Sequence, residues 1–185
     1  MAGSSTADPQ PTFYYDVGSP WCWLAGERVH HALGTVPEWQ PVLLERSGEA
    51  DVDRAAVERR ALEQGIPEVR WPDPFPFDSE LAMVVATFAK QTGRAVAYSL
   101  AAMRQAFAAG RDLSVLDNVL VAAAACELHP RAVIKALETQ GVRDALRADS
   151  EAAAAGGVRE LPAIAVGGVV VASGPDAVEQ AAAQR

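Results

Sequence analysis

Thr12-Phe13-Tyr14-Tyr15-Asp16-Val17-Gly18-Ser19-Pro20-Trp21-Cys22-Trp23-Leu24-Ala25 is the stretch whose reading decides the fold. Its first residues are aromatic or β-branched and form a short strand signal. Gly18 turns the chain, and Ser19-Pro20 opens a helix. Serine is a favoured N-cap, and proline fits the first helical position, where its missing N–H would be unpaired in any case. A strand that runs into a helix N-terminus gathers N–H donors and the positive end of the helix dipole at one point. Cys22 follows three residues after the cap and so belongs to that first turn.

Working outward, the helix is expected from Pro20 to His31, with Leu24, Val29 and Leu33 supplying its apolar side. His30 and His31 suit its C-terminal end, where a cation or a hydrogen bond to a last-turn carbonyl is favourable. Pro37-Glu38 breaks the chain, and Trp39–Leu44 reads as a second strand in spite of Pro41. From Asp51 to Gly157, alanine, leucine and arginine dominate and helices follow one another. Asp53 caps a helix ending near Gly65. Trp71-Pro72-Asp73-Pro74-Phe75-Pro76-Phe77-Asp78 is an extended crossing segment. Ser79 caps a helix ending at Gly93, and the next runs from Arg94 to Ala109. Ser114-x-x-Asp117 reads as a capping box opening a helix through Cys126. Pro130 starts a further helix that Gly141 ends, and Val142–Ala155 is the last of the block. No fixed period repeats among these helices, so a solenoid is not expected.

Strand signals return at the end. Leu161–Val166 and Val169–Ala172 are partners across Gly167-Gly168, and Ser173-Gly174-Pro175-Asp176 leads into a helix from Ala177 to Ala183. A helical block cannot be threaded through a sheet, so it must lie outside it. The reading is an α/β chain of thioredoxin-like arrangement with a large helical insertion. It divides into a loose tail (1–11), a discontinuous sheet domain (12–48 and 158–185) and the insertion (49–157).

Composition narrows the function. The net charge of −8 and pI near 4.9 repel phosphate backbones, so nucleic acid and anionic membranes are not expected partners. The tail has no basic residue or apolar run of a secretory signal, and no apolar stretch reaches the length of a membrane span. A cytoplasmic location is expected. Cys22 and Cys126 are too few and too far apart for a disulfide framework or a zinc site, and no metal is expected. Cys126 reads as buried packing in a small-residue helix.

The chain resembles the DsbA-like branch of the thioredoxin superfamily, and most resembles the 2-hydroxychromene-2-carboxylate isomerase and kappa-class glutathione transferase group. The resemblance is carried by Phe13–Ala25, Gly65-Ile66-Pro67 with Phe75-Pro76-Phe77-Asp78-Ser79, Gly110-Arg111-Asp112, and Gly157-Val158-Arg159-Glu160-Leu161-Pro162 before the hairpin. Against the family's Cys-x-x-Cys, Ser19 replaces the first sulfur with oxygen. The resemblance implies that Ser19 donates a hydrogen bond to the thiolate of a bound low-molecular-weight thiol such as glutathione. It implies a cis Pro162, strand-like backbone pairing of Leu161 and Pro162 with the thiol's peptide part, and Gly174 and Asp176 at its γ-glutamyl end. Pro175 departs from the expected Ser/Asn there. A homodimer is also implied. The implied activity is isomerisation or transfer on a small conjugated or aromatic substrate, with Ser19 and Cys22 as candidate catalytic residues. Trp21, Trp23, Trp71 and Phe75 are candidates for the substrate pocket, with core packing as their alternative. Two other readings stay open: disulfide exchange through Cys22 alone, and a degenerate binding protein. Without chemistry, Ser19-Pro20 is a helix cap and Asp176 a complement to the last helix's dipole.

Overall fold

The computed structural model describes residues 9–44, 52–66 and 68–184. Its sheet has four strands, β1 (Thr12–Tyr15), β2 (Glu38–Pro41), β3 (Ala163–Val166) and β4 (Val169–Ser173), in the order β2-β1-β3-β4. β1 pairs with β2 in parallel, from Thr12 opposite Glu38 to Tyr15 opposite Pro41. A parallel pair needs a crossover, and the helices α1 (Pro20–Gly26) and α2 (Val29–Leu33) provide it. β3 runs antiparallel to β1, and β4 antiparallel to β3 with a bulge between Ile164 and Ala165. Gly167 and Gly168 both have positive φ, 59° and 81°, the two-residue turn that follows the strands' twist.

Between the halves of the sheet lie α3 (Arg54–Glu63), α4 (Glu80–Gln91), α5 (Ala95–Phe107), α6 (Leu116–Ala124), α7 (Pro130–Glu138) and α8 (Gln140–Ala155), and the chain closes with α9 (Ala177–Ala183). α4 is the heart of this block: every residue from Ala82 to Thr87 is buried, as befits a helix covered on all sides. The sheet's own core is aromatic. Phe13 and Trp39 meet edge-on at 4.8 Å, and Tyr15 and Trp39 at 5.2 Å. The buried Tyr15 hydroxyl pairs with Ser99 Oγ at 2.6 Å, and Tyr98 donates to the Ala82 carbonyl at 3.1 Å. Burial pushes both phenols well above their ordinary pKa.

The structure departs from the sequence reading in several places. The first helix is two: Arg28 N–H reaches back to Ala25 O at 3.1 Å and tightens the turn. The Glu27 carboxylate there accepts from Trp23 Nε1 at 3.0 Å and from Arg104. The second strand is shorter than expected and ends at Pro41, although Val42 N–H still donates to Tyr15 O at 3.1 Å. Gly141 does not end a helix; Thr139 leaves helical geometry (ψ 112°) and Gly141 lies in the first turn of α8. The Ser114/Asp117 box does not form, because Ser114 N–H is taken by Asp112 Oδ1 at 2.8 Å and Val115 occupies the N-cap. Asp53 does cap α3, accepting from Ala56 N at 3.0 Å. Of the expected tail, Pro9–Pro11 are held: Gln10 Nε2 donates to Val36 O at 2.9 Å and Glu38 N–H to Pro11 O at 2.8 Å. Residues 1–8, the boundary at 48/49, Asp51 and Pro67 lie outside the described residues.

Candidate functional site

The turn from β1 into α1 is built by its own side chains. Asp16 Oδ1 accepts from Gly18 N–H at 2.8 Å, and Ser19 N–H closes back onto Asp16 O at 3.2 Å. An aspartate bonding its backbone two residues on is a self-contained turn device. Ser19 then takes the N-cap geometry (φ −93°, ψ 121°) and its Oγ accepts from Cys22 N–H at 3.4 Å. That bond is long, and it uses the hydroxyl as an acceptor, leaving its proton to be donated elsewhere. Ser19 is 3 % exposed and Asp16 2 %.

Cys22 is completely buried, at 0 % exposure, and neither cysteine is in a disulfide. The sulfur sits in the core behind the cap, so the structure does not present Cys22 as a surface nucleophile. Cys126 is buried as well, its thiol pushed up by desolvation and only partly drawn back by Arg94.

The sheet brings the C-terminal site residues to this turn. Tyr14 faces Ala163 in the antiparallel register, so one step further the Leu161–Pro162 bond meets the end of β1. That bond is cis, as expected. Pro162 O accepts from Gly174 N–H at 2.8 Å, fixing the segment after β4 beside it. Gly174 has φ 80°, a backbone conformation that strains any other residue, and the tip of the Glu160 side chain lies over its Cα. Neither N–H nor C=O of Leu161 is taken by another described residue, although the residue is buried.

Asp176 lies further out. Its carboxylate accepts from Arg60 Nη2 of α3 at 2.5 Å, and this bond, above all, raises the Arg60 pKa. Glu179 bridges Arg60, at 3.7 Å, and Arg28. These residues line a cleft of about 420 Å³ with Glu63 and Gln64. Gln64 Oε1 there is buried without a hydrogen-bond partner among the described residues.

Of the four aromatic candidates, three gather around a residue the sequence did not single out. Trp23 stacks on Phe107 at 5.9 Å, and Trp71 and Phe75 meet Phe107 edge-on at 6.2 and 6.0 Å. The Arg54 guanidinium covers Trp71 at 4.8 Å. Trp23 is 1 % exposed; its place is core packing, whereas Trp71 and Phe75 are half-buried. Trp21 is half-buried in the first turn of α1. A second cleft, about 790 Å³, runs along α8 between Leu43, Leu44, Val84 and Val158 and includes none of the sequence-derived site residues. Among the described residues there is no His/Cys/Asp/Glu group that could hold a metal, and no helix long and apolar enough to cross a membrane.

Residues 12–184 match the family model of the DSBA-like thioredoxin domain. The chain belongs to that family. Among solved structures it is similar to a 2-hydroxychromene-2-carboxylate isomerase, with TM-score 0.77 and 16 % identity over 90 % of this chain and 89 % of that one. It is equally similar to a probable DsbA oxidoreductase of Streptomyces coelicolor, with TM-score 0.77 and 20 % identity over 95 % and 88 %. The cytosolic disulfide reductase DsbM of Pseudomonas aeruginosa, solved with GSH, matches at TM-score 0.69 and 16 % identity over 95 % and 96 %. No curated protein matches by sequence. At these identities the likeness is one of fold, and the DSBA-like fold with its inserted helices is common to both isomerase and oxidoreductase structures.

Proposed function

We propose that this protein is an isomerase or transferase of the 2-hydroxychromene-2-carboxylate isomerase type, dependent on a low-molecular-weight thiol of the glutathione kind and acting on a small conjugated or aromatic substrate. The observation that carries this reading is an oxygen, not a sulfur, at the exchange position. Ser19 Oγ stands at the N-cap of α1, the register of β3 on β1 carries cis Pro162 to the end of the strand that leads into that cap, and the chain's own nearby sulfur, Cys22, has no exposure.

The residues fit a thiol ligand in two respects. The Ser19 hydroxyl has a proton to donate, which stabilises a negatively charged sulfur. Leu161, in the bend just before β3, has an N–H and a C=O that no other described residue takes, the pair that a peptide-like ligand would take in strand fashion. When bound, such a thiol supplies the nucleophilic sulfur whose reversible addition frees rotation about a conjugated double bond. Trp21, Trp71 and Phe75 are the half-buried aromatic candidates for an aromatic substrate, the last two under the Arg54 guanidinium. Asp176 fits less simply: Arg60 already holds its carboxylate, and Pro175 offers no N–H. The terminal group of the cognate thiol must therefore contend with an ion pair, so thiols other than glutathione belong in the test.

Isothermal titration with glutathione, cysteine and coenzyme A is the direct experiment. The expected result is saturable binding of at least one thiol, weakened about ten-fold or more in Ser19→Ala, the loss typical of a charge-assisted hydrogen bond. Absence of binding by all three sinks the reading. Disulfide exchange through Cys22 is the competing activity, and insulin reduction abolished by Cys22→Ser would establish it instead. The proposed homodimer and cytoplasmic location are checked by light scattering and cell fractionation.

A further inference from the structure

We infer that Asp16 and Ser79 are the positioning pair of the thiol site, and that through them the helical insertion sets the geometry of Ser19; this rests on the thiol-site reading above. The starting point is a carboxylate where carboxylates are rarely found. Asp16 is 2 % exposed, and a buried carboxylate is tolerated only when hydrogen bonds replace its lost hydration. Its two oxygens are used for two different purposes. Oδ1 accepts from Gly18 N–H at 2.8 Å, inside the turn that ends at Ser19. Oδ2 accepts from the Ser79 hydroxyl at 3.0 Å, across to the start of α4.

Ser79 stands where an N-cap belongs, yet it makes no capping bond with its side chain. Asp78 Oδ1 instead takes the Glu80 N–H at 2.9 Å. A serine at an N-cap position ordinarily contributes to its own helix; this one is turned to the sheet domain. The contact is also sterically tight. A Cβ added at Gly18 would lie 2.9 Å from Ser79 Cβ and 3.3 Å from Asp16 Oδ1, so turn and helix meet across a gap that excludes any side chain at residue 18.

The turn from Asp16 to Ser19 is thereby closed on three sides: by its own backbone bond, by the Asp16 carboxylate, and by the first residue before α4. Ser19 Oγ is free to rotate about one bond only, and the backbone that carries it is held by groups from both parts of the chain. Since α4 is the buried centre of the insertion, a shift of that helix moves Ser79 and with it the acceptor that fixes Gly18.

The test uses the full chain with Asp16→Ala, Asp16→Asn, Ser79→Ala and wild type, at a temperature where circular dichroism shows all four folded. Two quantities are read: the Kd, by titration calorimetry, of whichever of glutathione, cysteine and coenzyme A the wild type binds most tightly, and hydrogen exchange at the Gly18 amide without ligand. Asp16→Asn keeps an oxygen for Gly18 N–H and an amide for the Ser79 oxygen, so it separates position from charge. Expected are Kd values weakened about ten-fold or more in Ser79→Ala and Asp16→Ala, and within about three-fold of wild type in Asp16→Asn. Gly18 exchange should quicken in both alanine variants while Val178 in α9 stays unchanged. Wild-type affinity for that thiol in Ser79→Ala and Asp16→Ala, or an Asp16→Asn as weak as Asp16→Ala, overturns the inference alone. A wild type that binds none of the three thiols overturns it together with the thiol reading.

Discussion

The two ends of the candidate site are held by different physics. At the Ser19 end the groups are buried, the partners are hydrogen bonds of 2.8 to 3.4 Å, and the neighbouring aromatic core excludes solvent. At the Asp176 end Asp176 is exposed, Arg60, Glu179 and Arg28 are half-buried, and the partners are ion pairs among them. Buried hydrogen bonds have direction and resist salt; exposed ion pairs contribute little and are screened. The first end is suited to holding an atom in place, the second to adjusting which ligand terminus is accepted.

Four changes break or sharpen this contrast. The largest effect is expected from Trp23→Ala, which removes the fully buried ring stacked on Phe107 and should cost about 3–5 kcal/mol in denaturant unfolding; a cost below about 1 kcal/mol would show that this stack is not part of the core that supports the Ser19 end. Gly18→Ala follows, since its new methyl meets Ser79 Cβ. It should cost about 1–3 kcal/mol, and Ser79→Gly in the same chain should return part of that. Third is the alkaline limb of stability. The buried Tyr15 phenol is pushed above the ordinary tyrosine value, mainly by desolvation. Its contribution is therefore whole below about pH 10, where the unfolded phenol begins to ionise, and is lost as pH rises beyond it. Tyr15→Phe should flatten that limb, and an unchanged alkaline slope would assign it to other groups. Smallest is Arg60→Ala, expected to change stability by less than about 1 kcal/mol, with added salt erasing the difference. A salt-resistant loss would place the Asp176 end in the same class as the Ser19 end.

The same contrast explains what could be read from the chain. The Ser19 cap and the Gly167-Gly168 hairpin were legible because each is a local device with a residue signature, whereas the cis state of Pro162 was expected only from the family resemblance. Asp16 carried a signature too, Asp-x-Gly, but its second oxygen goes to Ser79, 63 residues away, and no local pattern encodes that. Ser79 misled for the same reason: its position says cap, while the tertiary partner decides where the hydroxyl points. Arg60 lies on a polar helix face with nothing to mark it before α9 arrives beside α3. Phe107 is one apolar residue in a helix of many, and only the fold makes it the hub of Trp23, Trp71 and Phe75. The break between α1 and α2 was hidden because the carboxylate seated there, Glu27, is a good helix former by propensity.

The position of β1 between β2 and β3 has a consequence for how the protein is made. β2 is synthesised soon after β1, but β3 begins roughly 150 residues later, about 8–30 s of translation at ordinary rates. Throughout that interval one edge of β1 has no strand to bond, and the turn at Ser19 lacks Leu161 and Pro162. The helices of the insertion, whose contacts are nearer in sequence, can assemble first. Until β3 is made, β1 and β2 can form at most a two-stranded ribbon, and the edge of β1 that will receive β3 stays unpaired.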